Sequence, residues 1–516
     1  MIILIDIIIK MLTTKPLKNH SKYHKSVHKF ISSKNFNKLT EYTDFDFQLL
    51  ELPMLLTHAP INIIRYVVEN MININIPDKD GLSLCHFLCK TNSYDLIKYL
   101  IDEKNLDITI STTNDNWYPI HIACINQSYD TIKLLIDNGA NIEVKSNRNI
   151  KSIHLACYYG YPEIVKLLID NGAKIESKSF PMTPLTEIWI HNSFDSDEDA
   201  CIKSEDEPRD KPIHIACRCG HVDIVKILID QGVDLNAIGY FRDRPIHIAC
   251  QRNYLEIVKL LIDNDADLEV MKNGNERPIH IACYLNYPEI VKLLIAKKVN
   301  LNCTTCELET PLSYAFLTRA SSIIFKMLLD SGVNLEKKYY NGETILYRVC
   351  NDEQYCYPES HNESDTYTLA KLLLNAGANV NSLTNYKESP LHTCCYDYDT
   401  FEFIKLLVEN GADLEQETIN GWKPIHIVCT SGSYDVIKYF LSCNVDVTSL
   451  INTSYKCLYD FSYRDEVLKG ERKLNKKDII CFNPAQIISD RGFGFLKVSD
   501  LLDIINTKIE TTKHKK

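Results

Sequence analysis

The hexapeptide PIHIAC occurs four times in this chain, and the near copy PIHIVC occurs once, at residues 119–124, 212–217, 245–250, 278–283 and 424–429. Each copy places a histidine three residues before a cysteine, as in His214 and Cys217. Residues at this spacing share one face of a helix. Such a pair could begin a metal site or form the base and nucleophile of a Cys–His catalytic pair.

The number of copies argues against a single chemical site. The histidine is present in eight repeats, at His86, His121, His154, His214, His247, His280, His392 and His426. The cysteine is present in nine, at Cys89, Cys124, Cys157, Cys217, Cys250, Cys283, Cys350, Cys395 and Cys429. Packed helices lie about 8–10 Å apart, whereas Zn–N and Zn–S bonds measure about 2.0–2.3 Å, so neighbouring repeats are poorly placed to complete four ligands. We therefore predict an architectural role for both residues, with no metal and no cofactor.

Other patterns that could indicate chemistry are weaker. Cys303-Thr-Thr-Cys306 has metal-type spacing, but no second pair lies nearby in the sequence. The acidic stretch 195–210 lacks the ligand order of an EF-hand loop and reads as a surface loop. There is no glycine-rich phosphate loop, no G-x-S-x-G and no H-E-x-x-H. We expect a protein that is not an enzyme and has no catalytic residues.

Charge, cysteine content and the first residues indicate a cytoplasmic protein. The net charge of −11 disfavours broad contact with a phosphate backbone, so no nucleic-acid partner is expected. The initial run MIILIDIII is too short to span a bilayer, contains Asp6 and has no preceding basic region. We predict no membrane span, nineteen cysteines in a reducing compartment, and a monomer.

The motif starts recur mostly every 33 or 34 residues, as from Pro212 to Pro245 and Pro278. A second pattern follows each motif at a fixed distance, for example YPEIVKLLIDNGAKIE at 161–176. Pro162 suits a first helical turn and Gly172 a left-handed helix end. Each unit is therefore predicted to be a short helix, a turn and a longer helix, too small to fold alone but able to stack.

The pattern G-x-T-P-L-H-x-A, a second helix, then G-A-D/N resembles the ankyrin repeat. This chain has it as GWKPIHIVC and ETPLSYAF, followed by NGADLE or SGVNLE. The resemblance implies an all-α solenoid of about twelve helix-turn-helix units with β-hairpin turns. It also implies that the motif histidine hydrogen-bonds the turn backbone. The richness in Ile, Asn, Lys and Tyr is similar to that of ankyrin proteins from giant amoebal DNA viruses of the mimivirus type.

Three regions follow from these patterns. Residues 1–43 form an N-terminal arm whose stretch 10–38 contains eight lysines and three histidines and no acidic residue. Residues 44–450 form the array, with degenerate copies around residues 60–70 and at 183–210 and with insertions near 190–210 and 351–366. Residues 451–516 lack the motif, and we expect their segment RGFGFLKVSDLLDIINTKIE to supply capping helices.

The resemblance implies a concave protein-binding surface made of hairpin tips and the exposed face of each first helix. On this basis the predicted partner-binding residues are Trp117, Tyr158, Tyr159, Arg218, Tyr240, Phe241, Gln251, Arg252, Tyr284, Tyr396 and Trp422. Aromatic residues and arginine dominate interface hot spots, although some of these rings could instead cover neighbouring repeats. The predicted function is a non-catalytic scaffold that binds an unidentified protein, as a viral protein acting on host factors in the host cytoplasm. The alternative is an adapter that recruits a substrate to a ubiquitin ligase or similar machinery through a terminal segment.

Overall fold

In the computed structural model of the chain, the described residues are 74–75, 77, 81–179, 209–318, 322–351, 363–396, 400–431, 434–443, 445–446, 451–453 and 480–482. They contain ten helix pairs, divided between two compact units at the Asn273–Gly274 boundary. In each pair the odd-numbered helix is the short motif helix, called the first helix, and the even-numbered helix is the second helix.

The first unit contains five of these pairs. Their bounds are α1 Leu84–Lys90, α2 Tyr94–Lys104, α3 Pro119–Ile125, α4 Tyr129–Asp137, α5 Ser152–Tyr159, α6 Pro162–Asp170, α7 Pro212–Cys219, α8 Val222–Asp230, α9 Pro245–Gln251 and α10 Leu255–Asp263. Each first helix packs against the first helix of the next repeat, and each second helix packs against the next second helix.

The second unit contains the other five described pairs. Their bounds are α11 Pro278–Tyr284, α12 Pro288–Ala296, α13 Pro311–Leu317, α14 Ser322–Asp330, α15 Ile345–Cys350, α16 Glu363–Asn375, α17 Pro390–Cys394, α18 Phe401–Glu409, α19 Pro424–Ser431 and α20 Tyr434–Ser442. Beyond them, β1 Ile451–Thr453 pairs antiparallel with β2 Ile480–Phe482. This strand pair was not predicted, and the expected capping helices of the C-terminal segment lie outside the described residues.

The second helices show why a repeat cannot stand alone. Helix α6 buries Ile164, Val165 and Leu168, while Lys166 stays exposed. Covering that apolar stripe requires both the first helix of the same repeat and the neighbouring second helices, which is the packing observed for α6 with α5, α4 and α8. The core of each unit is consequently continuous from repeat to repeat.

The repeats on either side of residues 180–208, which lie outside the described residues, pack against each other. Helix α5 packs directly against α7, and α6 packs against α8. The backbone N–H of Ser179 donates to the carbonyl of Asp210 at 2.8 Å. These two repeats are therefore direct neighbours in the array, and the degenerate copy predicted at 183–210 lies outside the described residues except for Arg209 and Asp210. The degenerate copy expected near residues 60–70 lies outside the described residues.

The second predicted insertion, 351–366, ends earlier than expected. Helix α16 begins at Glu363, inside the range assigned to the loop. Its first residues, Glu-Ser-Asp, were read as a polar loop, but acidic residues are also favoured in the first turn of a helix. Polarity alone therefore did not distinguish a loop from a helix start.

The ends of the second helices match the predicted left-handed caps. Gly139, Gly172, Gly232, Gly332, Gly377 and Gly411 have φ between 75° and 90° just beyond these helices. Asp265 and Lys298 stand at the same position with φ of 62° and 58°. A side chain with a Cβ atom is disfavoured in this conformation, and lysine gains no local hydrogen bond that would offset the cost.

We predict that Lys298→Gly raises the free energy of unfolding by up to about 1 kcal/mol, because it removes this backbone strain. Urea denaturation followed by circular dichroism measures the change. Gly332→Ala is the matched control, since a Cβ atom at Gly332 would meet no neighbouring atom within 4 Å. That control should lose stability through backbone strain alone, and a Lys298→Gly protein less stable than wild type would contradict the prediction.

Candidate partner-binding surface

The motif histidines are buried at the start of each first helix and use both ring nitrogens. In α7, the backbone N–H of Lys211 donates to Nδ1 of His214 at 3.1 Å. Because Nδ1 accepts, the proton lies on Nε2, which donates to the carbonyl of Ala237 at 2.9 Å. The same pair of bonds recurs in both units, with Nε2 to carbonyl distances of 2.9 to 3.3 Å for His86, His121, His154, His247, His280 and His392.

Burial keeps these imidazoles neutral. It lowers their pKa from the ordinary 6.5 to about 3 in His121 and His247, and to about 4 in His86, His154, His280 and His392. Hydrogen bonds to the backbone carbonyls act in the opposite direction but are the smaller effect. An imidazole with both nitrogens engaged is a structural bridge and has no free nitrogen for a substrate or a metal ion.

The motif cysteines are buried as thiols. Burial raises the pKa of Cys124 and Cys250 to about 12, and it also raises the pKa of Cys157, Cys217, Cys283 and Cys429. A nucleophile or zinc ligand must be a thiolate, so these thiols are suited to packing. Across the part of the chain that the structure describes, no group of three or more His, Cys, Asp or Glu residues could hold a metal ion.

The two predicted tryptophan contacts are corrected by their burial. Trp117 and Trp422 are only 7% and 1% exposed. Their carbonyl groups accept the Nε2 protons of His86 and His392, and the Trp117 ring meets His121 edge-on with centroids 5.4 Å apart. Both occupy the second position before a motif, and Ile150 at the same position is also buried. The prediction of exposed tryptophans was wrong.

In the first unit, the remaining predicted residues lie at helix ends and one hairpin tip. Phe241 is 63% exposed and its ring lies 4.1 Å from that of Tyr240, centroid to centroid. Gln251 and Arg252 are exposed at the end of α9. The others, Tyr158, Tyr159 and Arg218, are partly buried. Tyr159 packs between Tyr158 and Tyr161 of its own repeat.

In the second unit, the predicted residues Tyr284 and Tyr396 differ in exposure and in their contacts. Tyr284 is 51% exposed and meets Tyr314 edge-on at 5.5 Å, and the Tyr314 hydroxyl donates to Glu276 at 3.0 Å. Tyr396 is partly buried, and its hydroxyl donates to Glu388 at 3.1 Å. The exposed parts of these rings remain available to a partner.

Sequence reasoning missed Arg348, which replaces the motif's second isoleucine in α15. This buried arginine donates to Glu309 at 2.8 Å and to Glu343 at 3.2 Å. Its guanidinium also lies 4.2 Å from the centroid of the Tyr339 ring. The sequence contained a signal for this buried ion pair. An arginine stands at an apolar motif position, and glutamates recur two residues before successive motifs.

The described geometry is that of a helical repeat protein whose motif side chains hold the repeats together and whose hairpin tips and helix ends face outward. The family model for ankyrin repeats (3 copies) matches residues 54–146, 86–179, 153–272, 246–339, 279–356 and 360–450. The chain therefore belongs to the ankyrin repeat family, and the predicted all-α ankyrin solenoid is confirmed. Ankyrin repeats indicate a protein–protein interaction scaffold.

The chain is also similar to a solved ankyrin repeat structure. The crystal structure of the human ASB11 ankyrin repeat domain is 21% identical, and the similarity covers 48% of this chain and 97% of that chain with a TM-score of 0.39. No curated protein sequence matches the chain. None of the described helices combines the length and apolar character that crossing a membrane requires.

We predict that acid destabilises the array below about pH 6.5. The motif histidines are neutral when folded and bind protons when unfolded, so stability is complete above the unfolded pKa and falls as pH drops from 6.5 towards the folded values. Each such histidine lowers the free energy of unfolding by roughly 1.4 kcal/mol for every pH unit below the unfolded pKa and above the folded one. Urea midpoints measured between neutral pH and about pH 5 test this. An unchanged midpoint across that range would refute it.

We predict that Arg348→Met lowers the free energy of unfolding by about 3–5 kcal/mol, because Glu309 and Glu343 stay buried without their cation. The matched control makes the same substitution in a Glu309→Gln, Glu343→Gln background, where the loss should be much smaller. Urea unfolding gives both values. Equal losses in the two backgrounds would mean that charge compensation is not the cause.

Proposed function

We propose that the chain is a non-catalytic scaffold that binds a partner protein through its hairpin tips and the exposed ends of its first helices. The observation that supports this most directly is the division of roles within each repeat. The motif histidine and cysteine, which could have been catalytic or metal-binding residues, are buried, and the histidine is hydrogen-bonded through both nitrogens. Aromatic side chains are instead exposed at two equivalent hairpin tips. Phe241 and Tyr340 are 63% and 73% exposed.

Exposed aromatic side chains on a rigid framework suit recognition of another protein. Tyrosine and phenylalanine offer large contact areas with few rotatable bonds, so their immobilisation costs little entropy. The hairpins that present them are tied to one another, for example by the N–H of Asn385 donating to the carbonyl of Asn341 at 2.8 Å. A partner would therefore meet a surface that is largely formed before binding.

The location, the oligomeric state and the biological role in this proposal come from the sequence alone. A cytoplasmic location, a monomeric state and a role for a viral protein acting on host factors follow from the resemblance to ankyrin proteins of giant amoebal viruses and from composition. The adapter alternative requires a terminal segment that engages a ligase, and the termini lie almost entirely outside the described residues. The scaffold is favoured because Phe241 and Tyr340 are exposed aromatic side chains at hairpin tips.

The test is affinity capture with the full chain from the cells in which it occurs, comparing wild type with a Tyr158→Ala, Tyr284→Ala variant. These residues lie at first-helix ends, one in each unit. We expect at least one protein to be captured by wild type and reduced about tenfold or more with the variant, since hot-spot truncations cost more than about 1.4 kcal/mol.

The matched control is Lys226→Ala with Lys292→Ala, which changes exposed residues on second helices, again one in each unit. Circular dichroism should show all three proteins equally folded. Capture retained by the control but lost by the tyrosine variant supports the proposal. Capture that is identical for all three proteins would show that the first-helix ends are not the contact surface.

A further inference from the structure

The hairpin tip at Tyr240–Arg242 in the first unit holds two bulky residues in an unfavourable backbone conformation. Phe241 and Arg242 have φ of 55° and 61°. The turn is closed by the N–H of Arg242 donating to Gly239 at 3.1 Å and by that of Gly239 donating to Asp243 at 2.8 Å. Left-handed backbone brings Cβ too close to a neighbouring carbonyl oxygen, so residues other than glycine and asparagine are disfavoured there.

The same turn in the second unit avoids that cost. At Tyr340–Gly342 the two left-handed positions are Asn341 and Gly342, with φ of 62° and 75°. The closing bonds are equivalent, with the N–H of Gly342 donating to Tyr339 at 3.0 Å and that of Tyr339 donating to Glu343 at 2.9 Å. The turn therefore does not require phenylalanine and arginine, and residues that relieve the strain fit it.

What the strained residues provide is an exposed aromatic ring beside concentrated positive charge. Phe241 and Arg242 are exposed, and Arg244 follows them. Asp210 connects the tip to the preceding repeat, because one of its carboxylate oxygens accepts the Tyr240 N–H at 3.0 Å and the other accepts Arg218 at 2.8 Å. Arg218 is thereby fixed next to the tip.

The acids near this tip are buried, whereas the cations reach the surface. Asp210 is 1% and Asp243 5% exposed, and Asp243 has Lys272 as an ion-pair partner at 3.9 Å. We call Arg218, Tyr240, Phe241, Arg242, Arg244 and Lys272 the basic–aromatic tip. Its outward charge is positive on a chain whose net charge is −11.

We propose that the basic–aromatic tip docks an acidic linear peptide of a partner protein, in which Asp or Glu side chains meet Arg218 and Arg242 and an apolar side chain packs on Phe241. Arginine suits this role because its planar guanidinium binds carboxylates in bidentate fashion. A peptide is favoured over nucleic acid, because a chain this acidic repels a long phosphate backbone outside the patch. The proposal rests on the proposed scaffold function and specifies the partner's chemistry at one tip.

The experiment uses the full chain and a fluorescent library of short peptides in which Asp and Glu alternate around one variable apolar position. Wild type is compared by fluorescence anisotropy with Phe241→Asn, Arg242→Gly, which gives this tip the Asn-Gly sequence of the second unit. We expect peptide affinity to fall by at least about tenfold. The unfolding temperature should stay the same or rise, because the strain is removed.

The matched control is Lys226→Ala, which removes an exposed positive charge from a second helix of the same unit and should leave peptide binding intact. The proposal is overturned if wild type binds no acidic peptide, or if the Asn-Gly variant binds as tightly as wild type. Preference for a single-stranded oligonucleotide over the peptides would overturn the peptide class, and a lower unfolding temperature in the variant would overturn the strain argument. The Tyr158 and Tyr284 variant leaves this tip unchanged, so failure here is distinguishable from failure of the scaffold proposal.

Discussion

The arrangement of repeats depends on one buried imidazole bridge. A motif histidine accepts a backbone N–H at the start of its own helix and donates to a carbonyl in the hairpin that follows, as His214 does between Lys211 and Ala237. The ring is planar and both of its nitrogens are used, so the orientation of helix to hairpin is fixed by a single side chain. Each bond contributes only about 1 kcal/mol, but the bridge recurs in repeat after repeat.

The chain also shows what replaces the bridge where histidine is missing. In α13 the position is Ser313, whose hydroxyl stays within its own turn, while Thr310 reaches the Tyr339 hydroxyl at 2.7 Å. In α15 it is Tyr347, whose hydroxyl donates to Glu388 at 3.0 Å. Arg348 and its glutamates lie in the same region. In these two repeats, hydroxyl groups and the ion pairs of Arg348 therefore connect the first helix to neighbouring hairpins, which a histidine ring does in the other repeats.

Much of the fold could be predicted because its signals are local and repeated. A proline at the first helical position, such as Pro212, and a glycine after the second helix, such as Gly232, mark the ends of elements without reference to the rest of the chain. The architectural role of His214 also followed from counting and from metal-ligand geometry. These arguments need only spacing and the known lengths of bonds and helices.

The errors concern residues whose environment depends on distant parts of the chain. Trp117 and Trp422 stand near turns, and only the neighbouring hairpins decide that they are buried. The start of α16 at Glu363, inside the predicted insertion 351–366, likewise depends on more than the local polarity of the chain. The basic–aromatic tip was predicted only in part: Tyr240, Phe241 and Arg218 were selected from the sequence, whereas the left-handed backbone and the role of Asp210 required coordinates.

The replacement of histidine in α13 and α15 makes the second unit a composite of two kinds of junction. Those at α11 and α17 contain an imidazole whose pKa is lowered by burial to about 4, whereas those at α13 and α15 have no imidazole at the motif position. A change in acidity therefore does not act evenly along this unit. Acid weakens the junctions at α11 and α17 by protonating their histidines, while the junctions at α13 and α15 have no motif imidazole to protonate, so neighbouring repeats of this unit differ in their sensitivity to pH.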